Sequence, residues 1–401
     1  FHQKSYYLAV GVFFKMCYNR FIMSLFSKKE VCLGVDIGGG GIKLVELHKA
    51  KGRPQLWTYG IAEEKLDIHL LETKEKTPEE LLYGEGFDFQ KKKKVEEEIP
   101  VIDDPRVEKY AELLKTLLKE AKVTTRYASA SLPVSYIFHT IINLPAMEEK
   151  EVEHIVRAEI KKMLPRPIEE MQIVHQLIPD RTIGEEKKHQ PLRVLVTAAP
   201  KQLVAFYTSI FQKAGLILRE LETEAFALER SLVGLDQATA MVVDMGAERT
   251  NFFIIDQGLP LTHRTITVGG NTFDRILQQS LGADIEEVQQ LKQDLAHSQK
   301  KMPTDLFLSI LDPVVKEIEY SFDLFLHQTG NEGKRPEKII LTGGSAVFPF
   351  ILEEIKSKFP LKVFLGDPWA RVVYQDGLKT LLDNIGPRMA VSIGMALRNI
   401  V

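Results

Sequence analysis

The chain has 401 residues, 44% of them hydrophobic and 27% charged, which excludes a fibre or a wholly disordered chain and leaves room for two or more domains with cores of their own. Its 52 basic and 55 acidic residues give a net charge of −3, so bulk charge points to neither nucleic acid nor an anionic membrane as a partner. Two cysteines, Cys17 and Cys32, with no CxxC pair and no histidine cluster, speak for a reducing compartment and against a structural metal.

Residues 1–22 carry an apolar stretch, 6–14, that is too short to span a bilayer and is followed by no small-residue cleavage site. The sequence "MSLFSKKE" at Met23 reads as a natural start, so 1–22 is taken as an upstream over-read, with an amphipathic anchor as the alternative. No later stretch reaches the roughly 18 apolar residues of a membrane span, and a soluble protein is expected.

The stretch "VCLGVDIGGGGIKLVELH", 31–48, predicts two strands, 31–36 and 42–48, joined by a turn almost without side chains; "PQLWTYGIAEEK" adds a third strand. The charged run 63–106, with "KKKKVEEE" inside it, is read as a solvated surface insertion. Behind an Asp-Pro start, Val107, Tyr110, Leu113, Leu114, Leu117 and Leu118 fall at helical spacing, and "YASASLP" continues as a buried strand. Residues 23–146 then form a first half.

A small α+β subdomain is expected over 147–216. It has a helix with Val152, Ile155, Val156, Ile160, Met163 and Leu164 on one face, a hairpin from "MQIVHQLI" and "LRVLVTAAP", and a second helix through Leu203, Phe206, Tyr207, Ile210 and Phe211 capped at Gly215. Residues 217–237 return to the first half through a connecting helix, and 238–401 form a second half. There "VVDMGAERTNFFIID" repeats the strand, aspartate, turn and strand of the first motif, and a feature repeated once at domain scale predicts two related halves. "TDLFLSILDPVVKEIEYSFDLFLHQ", 304–328, is read as a core helix, and "RMAVSIGMALRNI", 388–400, as the terminal helix.

Glycines let backbone N–H groups approach an anion without Cβ obstruction, so Gly38, Gly39, Gly40 and Gly41 read as a phosphate cradle, with Lys43 as an added point charge. Gly246 and Thr250 make the second cradle. Asp36 and Asp244, each at a strand end, are candidates to hold a hydrated Mg²⁺, which takes only one or two carboxylates. Either turn alone is as well explained by an ordinary tight hairpin. The third element, Gly343, Gly344 and Ser345 between an apolar strand and a helix, suits the flat face of an adenosine and shifts the weight towards ATP with Mg²⁺. Glu222 and Glu224 are the only candidates to orient an attacking water, and the plainer reading is that each caps or pairs on the connecting helix. His139, His154, His175 and His263 lack metal spacing and are read as ordinary core or surface residues.

Cradle, second cradle and adenosine turn, with the connecting helices "ETEAFALERSL" and "RMAVSIGMALR", resemble the actin-like ATPase superfamily from about residue 31 to the end. Within it, "MSLFSKKEVCLGVDIG", "ASLPVSYIFHTIINLPAMEEKEVEHIVRAEIKKMLPRPIEEM" and "GGNTFDRIL" are most similar to the PilM family of type IV pilus and type II secretion assembly, and to its relative FtsA. The resemblance implies an α/β fold of two RNase H-like halves around a nucleotide cleft, with 147–216 in place of the actin insertion as the partner-binding part. It also implies a cytoplasmic protein, peripheral at the inner face of the membrane, that binds the cytoplasmic tail of a PilN-type protein and other pilus platform and motor components. A homo-oligomer is left open. The family usually carries Ser or Thr after the second glycine of its first turn, where this chain has Gly39, Gly40 and Gly41. A missing hydroxyl ligand weakens metal handling, and slow turnover is expected. The competing readings are an ATPase or small-molecule kinase of the same fold, and an FtsA-like cell-division protein.

Overall fold

The computed structural model describes residues 31–69, 104–145, 147, 149–178, 192–296, 304–328, 331 and 333–400. The reading of 1–22, most of the charged run 63–106 and the turn between the two hairpin strands lie outside the described residues.

The chain begins with an antiparallel meander, β1 Val31–Gly38, β2 Gly41–Ala50 and β3 Arg53–Ala62. Lys51 at φ 51° and Gly52 at φ 79° close the second hairpin, because positive φ at both turn residues matches the twist of the flanking strands. Helix α1, Pro105–Glu120, is started by Asp104, whose carboxylate accepts from the Arg106 N–H at 2.9 Å, and it buries Val107, Tyr110, Leu114 and Leu117. Strands β4 Tyr127–Leu132 and β5 Phe138–Leu144, helix α2 Glu149–Ile160, strands β6 Met171–Leu177 and β7 Leu192–Pro200, helix α3 Lys201–Lys213 and strand β8 Ile217–Thr223 follow. Strands β4 and β8 add in parallel to β1, giving the sheet order β3-β2-β1-β4-β8.

A short helix, α4 Glu224–Leu228, with a π turn over Glu229–Val233, leads into the second half. There β9 Ala240–Met245, β10 Thr250–Asp256 and β11 Leu259–Ile266 form the same meander. Helices α5 Gly270–Leu281, α6 Ile285–Ala296 and α7 Leu308–Leu326 precede β12 Lys338–Thr342, α8 Pro349–Lys358 and β13 Lys362–Leu365. The order β11-β10-β9-β12-β13 repeats the first sheet position for position. Helix α9, Lys379–Leu397, closes the chain; it starts earlier than expected and runs through Pro387, whose carbonyl accepts from the Gly343 N–H at 2.9 Å and the Thr342 hydroxyl at 3.1 Å. Gly394 of α9 rests on the backbone of Ala227 in α4, and Gly34 of β1 rests on α9 at Ser392 and Met395. Removing Cβ at both points lets helix, helix and strand approach to backbone contact.

The small unit differs from the expected 147–216 at both ends. Its sheet, β5-β7-β6, includes residues 138–144, and Ile142, Val152, Val156, Ile160, Val194 and Val196 share its core. Helix α3 instead buries Leu203, Phe206, Ile210 and Phe211 beside α1, and the Tyr207 hydroxyl donates to the Ile37 carbonyl at 3.1 Å, so α3 belongs to the first half. An apolar stripe says that a helix is buried but not against what. The start of the charged run is not a solvated loop either: Leu66 and Ile68 are in the same core.

Candidate nucleotide cleft

A cleft of about 650 Å³ opens between the two halves, lined from both. Asp36 lies two residues before the end of β1, directly across from Lys43 of β2, with the lysine Nζ 3.4 Å from its carboxylate, and the Ser131 hydroxyl donates to it at 2.9 Å. Asp244 holds the equivalent position in β9, across from Asn251 of β10. The duplicated topology therefore brings two aspartates to face each other. Burial pushes the Asp244 carboxyl up to about 7, helped by repulsion from Asp36 and opposed by Lys43 and Asn251. Burial pushes Glu224 up to about 8, with Asp244 and Asp36 adding repulsion. Glu224 accepts from the Asn251 amide at 3.2 Å and the Val134 N–H at 3.3 Å, and the Thr265 hydroxyl donates to Asn251 Oδ1 at 2.9 Å and fixes that amide.

These groups fit a magnesium nucleotide. Mutually repelling carboxyl groups with hard oxygen atoms call for a small dication. Among the described residues no set of three acidic, histidine or cysteine ligands gathers to hold a bare ion, so water and phosphate oxygens would complete the shell. Gly38, Gly39 and Gly40 line the cleft on one side and Gly246 on the other. Gly343, at φ 90°, leaves no space for a side chain, since a Cβ would lie 2.6 Å from Asp244 Oδ1. The Ser345 N–H donates to the Met245 carbonyl at 3.0 Å and its hydroxyl to the Gly246 carbonyl at 3.3 Å, which staples the turn at 343–345 to the turn after β9.

Three expected site residues lie elsewhere. Gly41 is absent from the cleft lining; at φ 116° it packs on the end of β3, where a Cβ would lie 3.0 Å from the Ala62 carbonyl carbon and 2.9 Å from the Glu64 nitrogen. Thr250 is fully buried and spends its hydroxyl on the Val268 carbonyl at 2.7 Å. Glu222 is buried in an ion cluster with Arg230 and Arg398, which also pairs with Glu220 at 2.6 Å; two residues later the chain has turned into α4, and only Glu224 reaches the cleft.

The sequence reading also missed residues that close one lip. Glu248 and Arg249 of the second half meet His69, Ser135 and Tyr136 of the first. Their signal was hidden, because 63–69 was read as solvated and 133–137 has no regular period.

The raised carboxyl groups make stability depend on pH. Unfolded Asp and Glu titrate near 4, so the nucleotide-free native state binds more protons than the unfolded chain between about pH 4 and pH 8. Stability should fall as pH rises through that window, and Asp244→Asn or Glu224→Gln should flatten the fall. Melting temperatures from pH 5.5 to 8.5 check this, and a rise across the window in the wild type would contradict it.

The model of the family described as type IV pilus assembly protein PilM matches residues 90–400. A chain of a solved "PilM-PilN type IV pilus biogenesis complex" superposes with TM-score 0.72 at 23% identity, covering 92% of this chain and 98% of that one. Weaker matches include ethanolamine utilization protein EutJ from Carboxydothermus hydrogenoformans, TM-score 0.49, 14% identity, 92% and 89% covered. MreB 5 of Spiroplasma citri bound to AMPPNP matches with TM-score 0.45, 13% identity, 91% and 94% covered. The fold is the actin-like ATPase fold, and the chain belongs to the PilM family of type IV pilus assembly proteins.

Proposed function

We propose that the protein binds ATP with Mg²⁺ in the cleft and, so stabilised, serves as a scaffold that holds the cytoplasmic tail of a PilN-type inner-membrane protein in a type IV pilus or related secretion platform. The observation that carries the nucleotide part is the facing pair Asp36 and Asp244, set between glycine turns and stapled through Gly343 to the adenosine turn. Magnesium would neutralise the phosphate chain; the glycine-turn amides and Lys43 would fix the phosphates, and Ser345 the adenosine side. Turnover is slow in this reading. The turn at residues 38–41 offers no hydroxyl to the metal, and without nucleotide the Glu224 carboxyl is held up to about 8 by burial and by Asp244 and Asp36.

The tail part rests on family membership and on the small sheet. Among the described residues no helix is long and apolar enough to cross a membrane, so a docked tail would supply the membrane attachment. A tail that orders on binding needs a preformed groove, and the proposal places it where the small sheet joins the body. Phe138 and Ala198 are cross-strand partners, so the unit can be cut out where its two ends lie side by side. The test replaces residues 139–197 by a short Gly-Ser linker and measures binding of a PilN-type cytoplasmic peptide by fluorescence anisotropy. Loss of the peptide with retained thermal stabilisation by ATP·Mg²⁺ is the expected result. Undiminished peptide binding would place the partner site elsewhere.

A further inference from the structure

The space opened by Gly39 is filled from the other half of the molecule. A Cβ on Gly39 would stand 2.7 Å from Cγ and 2.6 Å from Cδ of Glu248, and one on Gly40 would stand 3.1 Å from the Ala247 Cβ. A carboxylate thus occupies the cradle that a phosphate would enter. Its Oε2 is enclosed yet accepts no hydrogen bond among the described residues. His69 Nε2 faces that oxygen at 3.5 Å and the Arg249 guanidinium at 3.6 Å, both longer than a normal hydrogen bond. His69 Nδ1 is engaged by the Tyr136 hydroxyl at 2.5 Å and by Arg249 at 3.3 Å, which assigns the ring proton to Nε2 and aims it at Glu248. Arg249 also bonds the Ser135 hydroxyl and lies 5.5 Å from the centre of the Tyr136 ring. Glu248 and Arg249 therefore strap the second half to the first across the mouth of the cleft.

A run of contacts leads from the turn at 343–345 to this strap. Gly343 touches Asp244, Ser345 bonds Gly246, and Glu248 comes last, against Gly39. A nucleotide anchored at residues 343–345 would lead its phosphates along that path, with its terminal group nearest Glu248. Two anions do not readily share one cradle, because like charges a few ångströms apart repel.

We infer that Glu248 is a γ-phosphate gate: a terminal phosphate must displace its carboxylate and undo the strap, whereas a diphosphate leaves both in place. The inference rests on the proposed ATP site and adds to it a residue that sets the choice between triphosphate and diphosphate. The displaced carboxylate would give up His69, and the incoming phosphate would take over His69 and Arg249, so the identity of the nucleotide would be written into the contact between the halves.

Calorimetric titration of Mg²⁺ with a non-hydrolysable ATP analogue, and separately with ADP, tests this on the full chain of wild type, Glu248→Gln and Glu248→Ala. Both substitutions should tighten the triphosphate by about tenfold, as expected for removal of one like charge, and change ADP by less than about twofold. As a second readout, the triphosphate should speed amide exchange at residues 133–137 in the wild type, and ADP should not. Equal changes for both nucleotides, or none, would overturn the gate while leaving the nucleotide site standing. Failure of the wild type and both variants to bind either nucleotide, with melting curves that show a folded protein, would overturn the ATP reading and the gate with it.

Discussion

Substituting Gly394 with valine should cost the protein more than about 3 kcal/mol and leave little of it folded at 37 °C. At this position even a Cβ would lie 2.5 Å from the carbonyl carbon of Ala227 and 2.8 Å from its Cα, and these are backbone atoms that cannot rotate away. Helix α9 would have to lift off α4, and because its other side receives Gly34 of β1, the sheet of the first half would lose its cover too. Methyl groups added beyond Cβ deepen the clash, so alanine should already be harmful and valine worse. Gly52→Ala is the control: it sits at φ 79° with open space around it, so it reports only the backbone penalty of about 1–2 kcal/mol. Urea denaturation of the three variants separates the terms. A Gly394→Val midpoint close to that of Gly52→Ala would show that the helix crossing yields easily.

Asp244→Ala and Asp36→Ala should each abolish the stabilisation that ATP·Mg²⁺ gives, about 2.7 kcal/mol when ligand is present at a hundred times its dissociation constant. The sign without nucleotide is opposite for Asp244. Its carboxyl is held up to about 7 by burial and by Asp36, so at pH 8 the native state carries a charge it accommodates poorly, and Asp244→Asn should raise the melting temperature of the nucleotide-free protein. One side chain is thus unfavourable alone and favourable with its dication. Thermal scans with and without ATP·Mg²⁺ at pH 8 check both halves of the statement. A variant that is stabilised by nucleotide as much as the wild type would remove Asp244 from the site.

The elements that place the cleft were legible because their signals are local. The run of apolar residues into Asp36 and Asp244 and the glycines after them specify strand, strand end and turn within a dozen residues, and the repeat makes the second motif a check on the first. What was not legible depends on neighbours distant in sequence. Gly40 and Gly41 are adjacent and identical, yet one faces the cleft and the other meets the end of β3. Glu222 and Glu224 differ by two positions, which in a continuing strand would put them on one face; the chain turns into α4 between them and parts them. Thr250 looks like a cradle hydroxyl until Val268 is found beside it. Leu66 and Ile68 were masked by the charged residues around them, and with them went His69 and the strap at the cleft mouth.

The side-by-side ends of the small sheet at Phe138 and Ala198 bear on how the protein can change over generations. A segment that leaves and re-enters the body at one spot can be lengthened, trimmed or exchanged without altering the path of the chain anywhere else. Neither glycine turn, neither aspartate and neither connecting helix lies within it. On the proposed function, selection could rewrite the partner-binding surface in this segment while leaving every residue of the cleft unchanged.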